Sequence, residues 1–205
     1  MARVLTRSLP AALLVAGLLA LGLAGPATPA RAADADLDGA RTVLQLSQQR
    51  LSFMRTVMAA KWASRAPIED LAQEASVLDA ARAAGTERGL GPETVAGVFA
   101  QEISAAKVVQ LGWGSQWLLH GYPADEPAPD LTAVRPQIAA LTPQIADALV
   151  RTDRLNCVRR ARARLLREAK IIVTTQYVTA RVRRGLVDAI LRVRGASRRA
   201  PCAGV

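Results

Sequence analysis

The sequence predicts an all-α bundle of about five to six helices enclosing a polar pocket, on three observations. Aromatic residues make up only 3% of the 205 and apolar residues 51%, with Ala, Leu, Val and Arg dominant, whereas sheets lean on aromatic and β-branched side chains. Apolar positions recur with the helical period along five stretches set apart by proline and glycine. Several polar side chains stand on the stripes that this period should bury. The length suits one domain, and the chain is too apolar to be disordered.

The first 32 residues stand apart from that bundle. Arg3 and Arg7 precede an uncharged apolar run from Leu9 to Gly25, followed by Pro26, Pro29 and then Ala30-Arg31-Ala32. This is the pattern of a secretory leader cut after Ala32, and the run is shorter than the ~20 residues of a membrane span. Residues 33–205 are therefore expected to be exported, secreted or periplasmic, with no membrane partner once the leader is gone. In that oxidising setting Cys157 and Cys202 are expected to pair, closing a loop worth about 4 kcal/mol. His120 is the only histidine, so neither a metal site nor thiol chemistry is expected.

The first helix is expected from about Leu37 to Ser64, stopping before Pro67. A second begins near Ile68 and ends around Gly85 to Gly91. The third starts at Pro92, a good first-turn residue, and runs to about Leu118. A proline-rich connection from His120 to Pro129 follows. Asp130 is the expected N-cap of a fourth helix that reaches about Arg151 and is bent or delayed by Pro136 and Pro143. A fifth, from Asp153 to about Arg194, would place Leu155, Val158, Leu165, Ala169, Ile172, Gln176 and Ala180 near one face.

On the first helix Val43, Leu46, Phe53, Met54 and Val57 define a face, and Arg50 and Lys61 share it. Eleven residues at ~100° each return almost to the starting direction. No acid on that face neutralises the two cations, so acids from another helix or an anionic ligand must, since burying unpaired cations is costly. The third helix carries Val95, Phe99, Ile103, Ala106, Gln110, Trp113 and Trp117 in one stripe, with Gln110 the odd member. Asp70, Gln73 and Val77 share a face of the second, with Glu74 beside Leu71 and Leu78. Together these point to a cavity within a helical bundle that receives a small anion. The sequence has no Ser-His-Asp set and no glycine-rich phosphate loop.

These residues resemble the all-helical chorismate mutases, specifically their secreted gamma subclass. The resemblance is carried by Arg50, Lys61-Trp62, the run Pro67-Ile68-Glu69-Asp70-Leu71-Ala72-Gln73-Glu74-Ala75-Ser76-Val77-Leu78, the Ile103 to Gln110 helix, Trp117, and Asp130 to Arg135. It implies a Claisen rearrangement of chorismate to prephenate without cofactor or metal, one active site per chain, and a homodimer. By resemblance, Arg50 and Arg135 bind carboxylates, Lys61 reaches a carboxylate and the ether oxygen, and Gln110 donates its amide to that oxygen. Asp70 and Glu74 orient the ring hydroxyl and nearby backbone. Two positions depart from the family: Gln73 stands where most members have a carboxylate-binding arginine, and Ala106 where a Ser or Thr is usual.

Charge is uneven, with 9 basic and 14 acidic residues from Ala33 to Val150 against 15 and 3 from Arg151 onward. Arg154, Arg159, Arg160, Arg164 and Arg167 lie mostly opposite the apolar stripe, which reads as a solvated face. No aromatics interleave with them, so no nucleic-acid partner is expected. Two other readings stay open from sequence: a catalytically silent member that binds chorismate or another small dicarboxylate, and a basic exported protein docking on an anionic surface.

Overall fold

The computed structural model describes residues 29–196, so most of the expected leader and Cys202 lie outside the described residues. The described chain is helical, with eight α-helices and one 3₁₀ turn: α1 (Pro29–Ser52), α2 (Met54–Ser64), α3 (Leu71–Glu87), α4 (Pro92–His120), α5 (Leu131–Ala139), α6 (Leu141–Val150), the 3₁₀ turn (Leu155–Cys157), α7 (Ala161–Ile172) and α8 (Ala180–Ile190). The 29-residue α4 is the axis against which α2, α3 and α8 pack, and α1 joins it to α6 and α7. Phe99 of α4 meets Leu44, Leu51, Ile145, Leu149, Leu165 and Leu186 in the core, all with their side chains fully buried. Among the described residues the one extended pairing is an isolated bridge, Leu90 with Gly195, which ties the segment after α8 to the α3–α4 turn.

The third expected helix appears almost as read, the second is shortened, and the first, fourth and fifth are divided. The first is interrupted at Phe53, where no proline or glycine stands. There the Ser52 hydroxyl donates to Gln49 O, the local side-chain competition that weakens a helical ladder. Phe53 keeps right-handed helical angles, so the break is confined to one residue. The second helix begins three residues later than expected. Asp70 is its N-cap, accepting from Gln73 N, and Glu74 reaches back to Asp70 N, so Ile68 and Glu69 stay outside the helix.

The fourth begins at the Asp130 cap as expected. It divides at Ala140 because Pro143 cannot donate to Ala139 O and its ring crowds that carbonyl. In α6 Pro143 falls in the first turn, where an N–H has no helical partner to lose. The fifth departs most. From Val173 to Thr179 the chain leaves the helix, and Gln48 of α1 holds it there by accepting from Thr174 N, Thr175 N and Thr175 Oγ1 at 2.8 to 3.0 Å. Thr179 then caps α8. The expected stripe ends accordingly: Gln176 and Ala180 are exposed, while Val173 takes the buried position. Arg154, Arg159, Arg160, Arg164 and Arg167 are all exposed.

Candidate active site

Between α1, α2, α3, α4 and α5 lies a cavity of about 480 Å³, within the size range of small-ligand sites. Arg50, Lys61, Asp70, Gln73, Glu74, Gln110 and Arg135 all line it. The 11-residue spacing holds across the Phe53 break: Arg50 is 6% and Lys61 8% exposed, and both face inward.

Each cation has a distinct hold. Arg50 lies against Glu102 of α4, with Nε 4.0 Å from Oε2, and its Nη1 donates to Ile138 O at 3.4 Å. Glu102 is wholly buried and also accepts from the Ser47 hydroxyl. Burial pushes its carboxyl above the usual carboxylate range against the opposing pull of Arg50, and burial likewise lowers Arg50. Arg50 Nε and Glu102 Oε2 make no hydrogen bond, so their attraction is Coulombic at that distance. Lys61 Nζ donates to Ile68 O at 2.6 Å, the carbonyl left free by the late start of α3. Among the described residues no carboxylate comes within 4 Å of Lys61 Nζ, and burial lowers its affinity for a proton despite the fields of Asp70 and Glu74.

On α4, Gln110 is buried at 5% exposure. Its Nε2 turns to Ala106 O at 3.3 Å and Met54 Sδ at 3.7 Å, and its Oε1 has no partner. Arg135 stays in a helical run although Pro136 follows it. Its side chain is half-exposed at the cavity rim, 3.8 Å from Asp70 Oδ2. Gln73 is exposed at the rim, and Ala106 offers only a methyl group to the wall.

Two residues that sequence reading missed, Glu102 and Ser47, complete the site, together with Lys107, which the sequence offers as a replacement for the missing charge only if its face turns inward. Glu102 and Ser47 stand behind Arg50. Lys107 turns to the cavity although its stripe disfavoured it, held by Glu74 Oε2 at 2.9 Å and Glu69 Oε1 at 3.2 Å. Glu102 did carry a signal, as the single polar member of the buried row Val95, Val98, Phe99, Glu102, Ala105 and Val109. Cys157 lies on the 3₁₀ turn and is not a free thiol. Among the described residues no cluster of three or more His, Cys, Asp or Glu is placed to hold a metal ion.

An all-helical fold around a cavity lined by four cations and a buried amide is suited to small organic anions. The sequence pattern of the family described as chorismate mutase type II matches residues 37–111. The secreted chorismate mutase of Mycolicibacterium smegmatis is 30% identical over 138 residues, 67% of this chain and 76% of that protein. The chain belongs to the type II chorismate mutase family. The secreted chorismate mutase of Yersinia pestis is 34% identical over 104 residues, a match that spans 51% of this chain and only 55% of that relative's length. The crystal structure of the Yersinia pestis enzyme covers 75% of this chain and 97% of its own with a TM-score of 0.66 at 23% identity, a likeness of fold. The chorismate mutase from Burkholderia thailandensis covers 75% and 95% with a TM-score of 0.63 at 31% identity.

Proposed function

We propose that this chain is an exported chorismate mutase that converts chorismate to prephenate in its cavity. The convergence of Arg50, Lys61, Gln110 and Arg135 on one cavity carries the reading. In the rearrangement the ether C–O bond breaks as a C–C bond forms, with no atom gained or lost. The protein's tasks are to hold a dianion in the compact conformer that brings the two carbons together and to meet charge growing on the ether oxygen. Arg50 and Arg135, from α1 and α5, are suited to the carboxylates. Lys61 and Gln110 are suited to the ether oxygen. Lys61 is committed only to a backbone carbonyl, and the Gln110 amide only to a carbonyl and a thioether. Asp70 and Glu74, which cap α3 between them, are suited to orient the ring hydroxyl. Export with removal of residues 1–32, a Cys157–Cys202 disulfide and a homodimer belong to the same reading.

The test is loss of chorismate absorbance with the purified exported protein, prephenate being confirmed as product. Turnover well above the uncatalysed rate supports the reading. Folded protein without turnover that still binds chorismate would favour the silent-member alternative.

The pH profile gives a second check. Gln110 has no proton to gain or lose near neutrality, so kcat/KM is expected to stay level from acid to mildly alkaline pH. It should then fall with a midpoint below the ordinary lysine value of 10.5, as buried Lys61 loses its proton. Because the folded value lies below the unfolded one, the unfolded chain holds more protons in that window. Stability contributed by this group therefore rises with pH there while activity falls. A midpoint at or above 10.5 would remove Lys61 as the titrating group.

A further inference from the structure

The α3–α4 wall of the cavity presents a glutamine at 73 and an alanine at 106, so it has neither a guanidinium nor a hydroxyl at those positions. Lys107 adjoins both. It follows Ala106 in α4, lies three residues before Gln110 on the same side of that helix, and its ammonium reaches Glu74, the neighbour of Gln73 in α3. We propose that Lys107 is a substrate-binding residue, its ammonium donating to one carboxylate of the dianion in place of the cation absent at position 73. This rests on the mutase reading.

Three features support it. An ammonium has three N–H donors, and Lys107 uses two, toward Glu74 and Glu69, so one remains for a ligand. The two acids orient it, since its side chain is only 29% exposed. Third, the lining side chains include four cations, Arg50, Lys61, Lys107 and Arg135, against the carboxylates of Asp70, Glu74 and Glu87. Without Lys107 the lining would carry equal numbers of each sign, although two of the other cations already face a carboxylate, Arg50 with Glu102 and Arg135 with Asp70. Lys107 therefore supplies the excess of positive over negative side chains in that lining.

The competing role is a strut that only ties α3 to α4, and steady-state kinetics with chorismate separate the two. Lys107→Met is expected to raise KM about tenfold to a hundredfold, the effect of one charge-assisted hydrogen bond, with kcat nearly unchanged because the contact is made in both ground and transition states. Lys107→Arg should keep most of the affinity. Glu69→Gln removes one half of the strut and leaves the ammonium, so KM should stay level or fall. Adding Gln73→Arg to Lys107→Met should bring KM back toward the parent value. A parental KM in Lys107→Met, or a rise in Glu69→Gln as large as in Lys107→Met, overturns the assignment while leaving the mutase reading intact. If the parent protein shows no turnover, the mutase reading fails. Calorimetric titration of chorismate then decides the assignment, with weaker binding by Lys107→Met supporting it and equal binding overturning it.

Discussion

Arg50→Ala is expected to abolish turnover and to lower the melting temperature together. The activity loss, at least about a hundredfold, follows from removing the cation proposed to bind a substrate carboxylate, and with it the order imposed on the substrate. The stability loss has a separate cause. Glu102 is fully buried and its carboxylate faces only Arg50 and the Ser47 hydroxyl. Breaking a buried pair by deleting one partner costs about 3–5 kcal/mol, or roughly 6–20 °C for a domain of this size. Glu102 already binds a proton more tightly in the folded state than a free carboxyl does, through burial, and losing Arg50 strengthens that tendency. Between the unfolded and folded values the folded state holds more protons, so stability falls as pH rises, and Arg50→Ala should melt progressively higher as pH is lowered into that range. The double variant Arg50→Met/Glu102→Gln should regain most of the melting temperature and none of the activity. Activity in a well-folded double variant would show that Arg50 does not hold substrate.

Lys61→Met should reverse that balance, with a large loss of rate and little loss of fold. The methionine side chain occupies much of the volume of the lysine stem. The folded state then lacks one hydrogen bond, to Ile68 O, worth about 1 kcal/mol and roughly 2–4 °C. A preorganised donor at a developing oxyanion is worth about 10²–10³ in kcat, and the alkaline limb of the pH profile should disappear from any residual activity. A fall in affinity with kcat preserved would move Lys61 from the ether oxygen to uniform binding of a carboxylate.

Much of the site was legible because it lies on helices whose period is fixed. Arg50 and Lys61 could be placed on one face by counting, and Gln110 by its position in the α4 stripe. Their partners were harder to read. Glu102 belongs to a second buried row of α4, one residue from the row that was followed, and a single polar residue there looks like one of many helix-surface acids until its neighbours are seen to be buried. Lys107 turns inward because Glu74 of α3 and Glu69 just before it hold it, a cause local periodicity does not contain. The fold was legible to the same degree. The end of α3, the whole of α4 and the Asp130 cap are written in proline, glycine and capping residues. The break from Val173 to Thr179 is imposed by Gln48, about 126 residues away, and only tertiary structure reveals it.

All three tryptophans and both tyrosines of the chain gather at one corner. Trp62, Trp113, Trp117, Tyr122 and Tyr177 form a chain of ring contacts with centroids 4.9 to 5.9 Å apart. Arg55 lies over Trp113 and Trp117 and grips Glu126 in the proline-rich connection. None of these rings lines the cavity. The intrinsic fluorescence of the protein is therefore a probe of that corner, where the C-terminal half of α4 packs on α2 and the connection before α5 is fastened. Melting followed by tryptophan emission and melting followed by far-ultraviolet dichroism measure two regions of the molecule. Any gap between the two curves would be the interval over which that corner loosens while the bundle stands.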